Sequence, residues 1–311
     1  MIPPTDGESN ESHGDFNLPN FWETLAQAAK STSQEATKLS LAFSKPPLPS
    51  EQDAEKMAES FQKSILALST VYMWFPKSQG MTLRRIIRDA TAQVLEGVVQ
   101  LIDVILSTPL QSLSQEQLTS TGSVWSSCDQ FAHLPKDNQA AVLSLLTSHI
   151  AVVKDAIEEM EQAQTEALDP FSDVLDDEDL DSRGNRDTYW SESDRQLMAP
   201  CRGLMKASAA CLRKLTAAVK SNGNVNSSET IAQLDDLADI TKDISPSVDD
   251  LALSLYPPMD YSGVQQNVSL ERNVFKTSHV CLEADQSWVE FLSGAVDHNL
   301  QKVGALAQGC G

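Results

Sequence analysis

Apolar residues recur every three or four positions over long stretches of this chain, which is the spacing of amphipathic α-helices. One such stretch covers 21–43, and a second follows Ser50, which is placed to cap it, and runs to Phe75. A third covers 83–105 and keeps one face apolar for about six turns. Because the alternation typical of β-strands is not sustained anywhere, the pattern predicts an all-α fold of antiparallel helices.

Two more helices are predicted before residue 167, and they complete a first domain. The segment 123–134 is expected to form a short helix that ends before Pro135, and a long helix over 137–163 is expected to be capped by Asp137 or Asn138. The predicted organisation has four parts, which are a disordered leader 1–19, an N-terminal five-helix bundle 20–167, an acidic linker 168–190 and a C-terminal helical bundle 191–311.

The predicted linker differs from its surroundings in charge. From Glu166 to Asp194 the sequence carries eleven carboxylates, and only Arg183 and Arg186 oppose them. Like charges at this density repel one another and resist packing. The sequence therefore predicts a solvated, disordered linker that joins two antiparallel helical bundles.

The second domain is predicted to hold about four helices and a short element at 246–256. That element opens with Ser245 and Pro246 and is followed by a proline pair at 257–258. We interpret Ser245 as the N-cap, Pro246 as the first helical residue and the proline pair as the stop signal. The apolar residues expected to pack inward are Leu251, Leu253 and Leu255.

Two serines are candidate phosphorylation sites. Ser245 precedes a proline, as proline-directed kinases require, but every local signal around it also has a folding role, so a structural role is the preferred interpretation. Ser191 precedes Asp194 in an acidic setting that acidophilic kinases favour. A phosphate on Ser191 would add charge to a segment that already repels itself.

Composition and charge narrow the function classes. The chain has 311 residues, of which 41% are hydrophobic, with a formal net charge of −21 and a pI near 4.5. Phosphate binding needs clustered Lys and Arg, and the densest cluster here is only Arg84, Arg85 and Arg88. The charge therefore argues against nucleic acid as a direct partner.

Signals for export or membrane insertion are not found in the sequence. The first twenty residues are polar and lack an apolar core, and no uninterrupted apolar run reaches the roughly 18 residues of a membrane span. The five cysteines are odd in number and scattered, which favours reduced thiols. We therefore expect a cytoplasmic and nuclear protein with no membrane partner.

No catalytic, cofactor-binding or metal-ligating residue is predicted. The sequence lacks the HExxH, CxxC, GxSxG, P-loop and dinucleotide-binding glycine patterns. Cys128 and His133 come closest to a catalytic pair, but their offset does not place them on one helix face, so a core role for Cys128 is favoured. An unrecognised enzyme would need a pocket of converging polar groups, which the sequence does not reveal.

Arg-x-Leu triplets, a pattern that cyclins can dock, occur in the predicted second domain. The candidate partner-binding residues are Arg195, Leu197, Arg213 and Leu215. A buried leucine beside an exposed arginine on an amphipathic helix gives the same pattern. Both interpretations stay open.

Six longer blocks of the sequence resemble one family. They are FWETLAQAAKSTSQEATKLSLAFSKPPLPS, YMWFPKSQGMTLRRIIRDAT, LPKDNQAAVLSLLT, DAIEEMEQA, YWSESDRQLMAPC and ISPSVDDLALSLYPPM. In this order, between Phe21 and Trp288, the chain is similar to the cyclin-D1-binding protein family, also described as Grap2- and cyclin-D-interacting or maternal Id-like proteins.

The resemblance implies a non-enzymatic regulator that binds D-type cyclins and needs no cofactor. It implies reduced phosphorylation of the retinoblastoma protein by the cyclin-dependent kinase, and therefore restrained cell-cycle entry and transcription. It further implies helix-loop-helix transcription factors and a signalling adaptor of the Grb-related class as partners. We expect a partner helix to be held at an exposed helix face or in the groove between the bundles.

A helical scaffold of the vinculin or talin type is the alternative function. Long amphipathic bundles joined by linkers resemble those modules as well, although the likeness rests on fold alone. Binding to actin or to an adhesion partner, without binding to a cyclin, would favour this alternative.

Overall fold

The computed structural model describes residues 16–107, 114–166, 190–268 and 286–307. Within these ranges the chain forms α-helices and short 3₁₀ turns and contains no strand, which confirms the predicted all-α fold. The acidic linker predicted over 168–190 lies outside the described residues except for Trp190. The disorder predicted for that linker and for the leader therefore stays a prediction.

Most helices of the described part begin and end close to the predicted signals, but the bounds predicted for the fourth helix, 123–134, are wrong. It covers Gln115–Asp129 and starts earlier because Ser114 caps it, accepting a hydrogen bond from the backbone N–H of Gln117 at 3.1 Å. The helix bounds are α1 Leu18–Ala42, α2 Glu51–Met73, α3 Met81–Ser107, α4 Gln115–Asp129, α5 Asn138–Glu166, α6 Glu192–Asn222, α7 Ser228–Thr241, α8 Ile244–Leu255 and α9 Gln286–Ala307, with a further helical segment at 261–268. Ser50 accepts a hydrogen bond from the backbone N–H of Asp53 at 3.2 Å, which confirms its predicted capping role. Asp137 accepts one from Ala140 N–H at 2.8 Å, so Asp137 rather than Asn138 caps α5.

The chain folds as two compact units. The N-terminal unit comprises the residues up to Ala141 together with Val225–Ile231, and the C-terminal unit comprises Val142–Asn224 and the residues from Ala232 onward. The prediction from the sequence puts the whole of the long fifth helix in the first domain. In the structure, α5 belongs to the C-terminal unit from Val142 onward.

Polar contacts with α6 explain the place of α5. Glu161 accepts a hydrogen bond from Lys206 Nζ at 2.8 Å, and Gln164 accepts one from Arg202 Nη1 at 3.2 Å. The periodicity of α5 predicts that one face is buried but does not say which bundle buries it. Contacts with residues distant in sequence, such as these, place the helix in its unit.

The core of the N-terminal unit is formed by the inward faces of α1 to α4. An aromatic cluster lies at one end, where the ring centroids of Phe21 and Phe75 are 4.9 Å apart and Phe16 meets Phe75 edge-on at 5.8 Å. Helix α1 packs extensively on α2, and α3 on α4, whereas the consecutive helices α2 and α3 touch each other much less. The seam between α2 and α3 is therefore the open side of this bundle.

Helix α6 is the central helix of the C-terminal unit and packs against α8 and α9. A capping box starts it, since Ser191 Oγ accepts from Asp194 N–H at 3.1 Å while the Asp194 carboxylate accepts from Ser191 N–H at 2.7 Å. Tyr261 donates its hydroxyl hydrogen to the other oxygen of Asp194. Trp190 Nε1 donates to the carbonyl of Leu255 at 2.7 Å, which ties the entry of α6 to α8.

The segment 244–259 forms a helix, but two details of its prediction are wrong. Helix α8 begins at Ile244 with Asp243 as the N-cap residue, so Ser245 is not the cap. Burial of Ile244 extends the helix toward its N-terminus, past the expected start. The buried face consists of Ile244, Val248, Leu251, Ala252 and Leu255. Because this face follows steps of three and four, Leu253 points away from it and is 69% exposed rather than packed.

Candidate functional site

Helix α3 carries two apolar faces, of which one is buried in the core and the other is only partly covered. The core face consists of Leu83, Ile87, Ala90, Val94, Val98, Leu101 and Ile105. The second face, the α3 stripe, consists of Ala92, Leu95, Val99, Ile102 and Leu106. Within it Val99 is 58% exposed and Leu106 is 71% exposed. Ala92, Leu95 and Ile102 are half-buried. Exposed large aliphatic side chains such as Val99 and Leu106 beside half-buried apolar ones are typical of an interaction surface.

The α3 stripe lies along a groove of about 870 Å³, the α3 groove. The groove is lined by Ile65 of α2 and by residues of α3 between Arg88 and Ser107, among them every member of the stripe except Leu106. At 1.5 Å per residue this part of α3 is about 28 Å long, which matches about five turns of a second helix laid beside it. The groove therefore has the size and the apolar surface that helix-in-groove recognition requires.

Charged residues frame the α3 groove. Arg88 Nη1 lies 3.0 Å from the carboxylate of Asp89, while Arg88 Nε is buried without a hydrogen-bond partner among the described atoms. Glu96 and Asp103 also line the groove, and both are exposed. Neither forms an ion pair with a cation of the described residues. The groove thus keeps two uncompensated carboxylates beside its apolar surface.

The chemistry of the α3 groove is that of a binding surface. Its titratable side chains are Arg88, Glu96 and Asp103, which offer no nucleophile with a neighbouring base. Throughout the part of the chain that the structure describes, no group of three or more His, Cys, Asp or Glu residues is placed to hold a metal ion. What the groove can do is bury apolar side chains and pair with cations at its edge.

Two helices are long and apolar enough to cross a membrane by length and composition alone, namely Met81–Ser107 and Asn138–Thr165. The core helices of soluble bundles meet the same criterion. Both helices contribute buried residues to their own units. For α3 the high hydropathy has a specific origin, because the core face and the α3 stripe are both apolar.

The predicted partner-binding residues lie on α6. The leucines of both triplets, Leu197 and Leu215, are fully buried, whereas Arg195 and Arg213 are exposed. A docked Arg-x-Leu motif inserts its leucine into the partner, which here would require that leucine to leave the core. The buried-leucine interpretation accounts for both triplets, and a docking role stays a prediction.

The two candidate phosphorylation sites differ in access. Ser245 is 6% exposed within α8. Ser191 is exposed, but its hydroxyl caps α6, a role that the sequence analysis missed although Ser-x-x-Asp is the signal of a capping box. Phosphorylation of either serine stays a prediction, and Ser191 is the accessible one.

Cys128 has the properties of a core thiol. It is buried in α4, and burial, followed by the charge of Asp129, raises its pKa to about 11. A catalytic cysteine needs the opposite shift, toward the thiolate. His133 lies past the 3₁₀ turn that follows α4, so the helix does not align the two side chains.

The basic cluster at the start of α3 is not a phosphate-binding patch. Arg84 is buried, with its guanidinium 5.1 Å from the centre of the Tyr72 ring, and it donates a hydrogen bond to the carbonyl of Phe75. Arg88 is paired with Asp89. Arg84 thus holds α3 to the end of α2, and Arg88 is paired within α3, so these two arginines do not form a row of free cations on the surface.

The all-α units define the class as a helical-bundle protein, and the α3 groove is its candidate binding surface. Comparison with known proteins then gives the family. Residues 24–166 match the family model described as Grap2 and cyclin-D-interacting, N-terminal, and residues 175–277 match the corresponding C-terminal model. The chain belongs to the Grap2 and cyclin-D-interacting protein family, which confirms the resemblance found in the sequence. This is a family of interaction proteins and not a known enzyme family.

Full-length relatives agree with the domain matches. The Cyclin-D1-binding protein 1 homolog of Danio rerio is 64% identical over 97% of this chain and 90% of its own length. The homolog of Xenopus laevis is 56% identical over 98% of this chain and 94% of its own length. Cyclin-D1-binding protein 1 of Homo sapiens is 42% identical over 97% of this chain and 88% of its own length.

Proposed function

We propose that this protein is a non-enzymatic regulator that binds D-type cyclins and restrains cell-cycle progression. The observation that carries the proposal is the identity of 42% to 64%, over nearly the whole chain, with proteins named for binding cyclin D1. The α3 groove supports it, because an open apolar surface suits the binding of a partner helix.

The mechanism is sequestration by surface contact. A cyclin held by this protein contributes less to active cyclin-dependent kinase, so the retinoblastoma protein receives less phosphate and the transcription that it represses stays off. No bond in the partner is made or broken. No catalytic residue and no cofactor are therefore needed.

Two further classes of partner are proposed to be held by surface contact in the same way. Helix-loop-helix transcription factors and an adaptor of the Grb-related class supply helical or modular surfaces, and the protein meets them in the cytoplasm and the nucleus. A captured helix-loop-helix factor loses DNA contact, because this chain has a net charge of −21 and buries Arg84, so it offers no basic helix of its own.

Calorimetric titration of the full-length protein with a purified D-type cyclin tests the proposal. We expect saturable binding to the D-type cyclin and none to an A-type cyclin used as a matched control. In a parallel kinase assay, added protein is expected to lower phosphorylation of a retinoblastoma fragment in proportion to the cyclin bound. Absence of both binding and inhibition would overturn the proposed function.

A vinculin- or talin-like scaffold is the second candidate, favoured by the helical bundles of both units. Co-sedimentation with filamentous actin separates it from the first. Actin binding by a protein that binds no cyclin would replace the proposal with the scaffold function.

A further inference from the structure

The α3 stripe has the spacing of a coiled-coil seam. Its members Ala92, Leu95, Val99, Ile102 and Leu106 follow one another in alternating steps of three and four. In heptad terms Ala92, Val99 and Leu106 occupy position a, and Leu95 and Ile102 occupy position d. Among the described residues, Ile102 packs against the core and Ile65 borders the groove, whereas Val99 and Leu106 stay exposed. The stripe is therefore one half of a seam that the described part of the bundle covers only in part.

One edge of this seam is open and acidic. In the same register Glu96 and Asp103 occupy position e, which flanks the seam and faces the side chains of a partner helix. The other flanking position, g, is occupied by Val98 and Ile105, which are buried in the bundle core. A partner helix therefore meets the negative charge of Glu96 and Asp103 along one flank of the seam. At the N-terminal end of the groove it also meets Arg88, a cation that is already paired with Asp89.

The acidic edge selects among possible occupants. Two copies of α3 packed antiparallel would bring their e positions face to face, so that Glu96 and Asp103 of both copies repel. Parallel packing would direct position e toward position g, which is buried. An anionic membrane surface is repelled by the same carboxylates. The charge distribution thus favours a cationic partner over a second copy or a lipid surface.

We propose that the α3 groove binds an amphipathic helix of the partner, with apolar side chains on the α3 stripe and Lys or Arg opposite Glu96 and Asp103. The inference deepens the proposed function and rests on it for the identity of the partner, a D-type cyclin. It adds the surface, the register and the charge of the bound helix. Arg88, whose buried Nε has no partner among the described atoms, lies at one end of the groove.

The first arm of the test removes the apolar contact. Titration of the double variant Val99→Glu/Leu106→Glu with the D-type cyclin is expected to show at least a ~100-fold loss of affinity, because two apolar contacts become charged. The matched control is Leu41→Glu/Leu253→Glu, at leucines that are 65% and 69% exposed on other helices. Both double variants are expected to melt like the wild type in circular dichroism, and the control is expected to keep full affinity.

The second arm tests the charge without any cyclin. Two synthetic helical peptides of equal length carry leucine at positions a and d and either Lys or Glu opposite the acidic edge. The wild-type protein is expected to bind the Lys peptide about tenfold more tightly than the Glu peptide, and Glu96→Lys/Asp103→Lys is expected to reverse this preference. The control Asp155→Lys/Glu290→Lys makes the same change of net charge at exposed positions elsewhere and is expected to keep the wild-type preference.

The two arms separate failure of the inference from failure of the proposed function. If the cyclin binds the wild type and the Val99→Glu/Leu106→Glu variant equally well, the inference is overturned and the proposed function stands. If no cyclin binds but the Lys peptide is preferred in the expected way, the proposed function fails and the inference stands. Equal affinity for both peptides overturns the inference. A dimer of the wild-type protein in analytical sedimentation would also overturn the inference if the Val99→Glu/Leu106→Glu variant were monomeric. A second copy of the chain would then fill the groove.

Discussion

Helices α3 and α6 are both long and amphipathic, but they differ in how completely their large apolar side chains are covered. In α6, which has 31 residues, the leucines, methionines and valine are all buried. In α3, which has 27 residues, the core face is equally buried, yet Val99 and Leu106 on the second face are exposed. The N-terminal unit leaves this second face open, whereas the C-terminal unit covers every large apolar residue of α6.

The difference separates two uses of apolar surface. Buried leucines of α6 stabilise the fold, and exposed ones on α3 contribute little to it because they stay in water in the folded state. An exposed apolar row carries no advantage for folding and promotes association. Substitutions on α6 should therefore change stability, and substitutions on the α3 stripe should change binding.

The largest expected effect is on the stability of the core. Leu204→Ala, at a fully covered position of α6, is expected to lower the free energy of unfolding by about 2–5 kcal/mol through lost burial and a cavity. Leu106→Ala on α3 is expected to change it by no more than about 0.5 kcal/mol. Urea denaturation followed by circular dichroism measures both. Equal losses for the two variants would contradict the distinction between the helices.

A smaller effect is expected at the start of α6. Asp194→Ala removes one side of the capping box and leaves the Tyr261 hydroxyl without its acceptor, which should cost about 1–3 kcal/mol. Glu192→Ala, in the same first turn but exposed, is the control and should cost at most about 0.5 kcal/mol. If both variants unfold at the same denaturant concentration, the capping box does not stabilise α6 as described.

The smallest effect concerns pH. Burial opposes ionisation of Asp194, but hydrogen bonds from Tyr261 and Ser191 outweigh it and lower the pKa of this carboxyl below its usual value. Because the folded-state pKa is the lower one, ionised Asp194 contributes stability above about pH 4, and that contribution is lost as pH falls through the folded-state pKa. Asp194→Asn should therefore lose less stability than the wild type between neutral and acid pH. The free energy of unfolding of both proteins is measured by urea denaturation at a series of pH values. An equal loss of stability in the two proteins between neutral and acid pH would argue against this role.

The sequence predicts the helices well because periodicity and caps are local signals. The stretch 83–105 is helical as predicted, and Ser50 caps α2 through a hydrogen bond that the spacing to Asp53 already indicates. Local signals fail where burial competes with them. At the start of α8 the burial of Ile244 prevails over the serine-proline signal, and the helix begins earlier.

The sequence predicts the type of binding surface but not the residues that form it. The sequence-based expectation is an exposed helix face or a groove between the bundles, and the α3 groove corresponds to the first of these because its lining lies within the N-terminal unit. The α3 stripe itself is not predicted, because apolar residues on two faces of one helix look alike in sequence. Leu101 and Val99 differ in burial only because α1, α2 and α4 cover one side of α3. The Arg-x-Leu triplets show the opposite problem, since Leu197 and Leu215 match a docking pattern and are buried.

The central claim is that the α3 stripe is the covered surface in the complex, and thiol labelling tests it directly. Cys128, Cys201 and Cys211 are buried, and burial raises the pKa of Cys211 to about 12, so native thiols of the described residues should react slowly with maleimide. Cys281 and Cys310, which lie outside the described residues, are replaced by serine in this background.

The measurement is the alkylation rate of Val99→Cys, with Leu253→Cys as the control, each with and without a D-type cyclin. At a cyclin concentration about ten times Kd, the Val99→Cys thiol should react about tenfold more slowly than in the free protein, and the Leu253→Cys thiol should keep its rate. An unchanged rate for Val99→Cys at saturating cyclin would show that the partner binds elsewhere and would contradict the account.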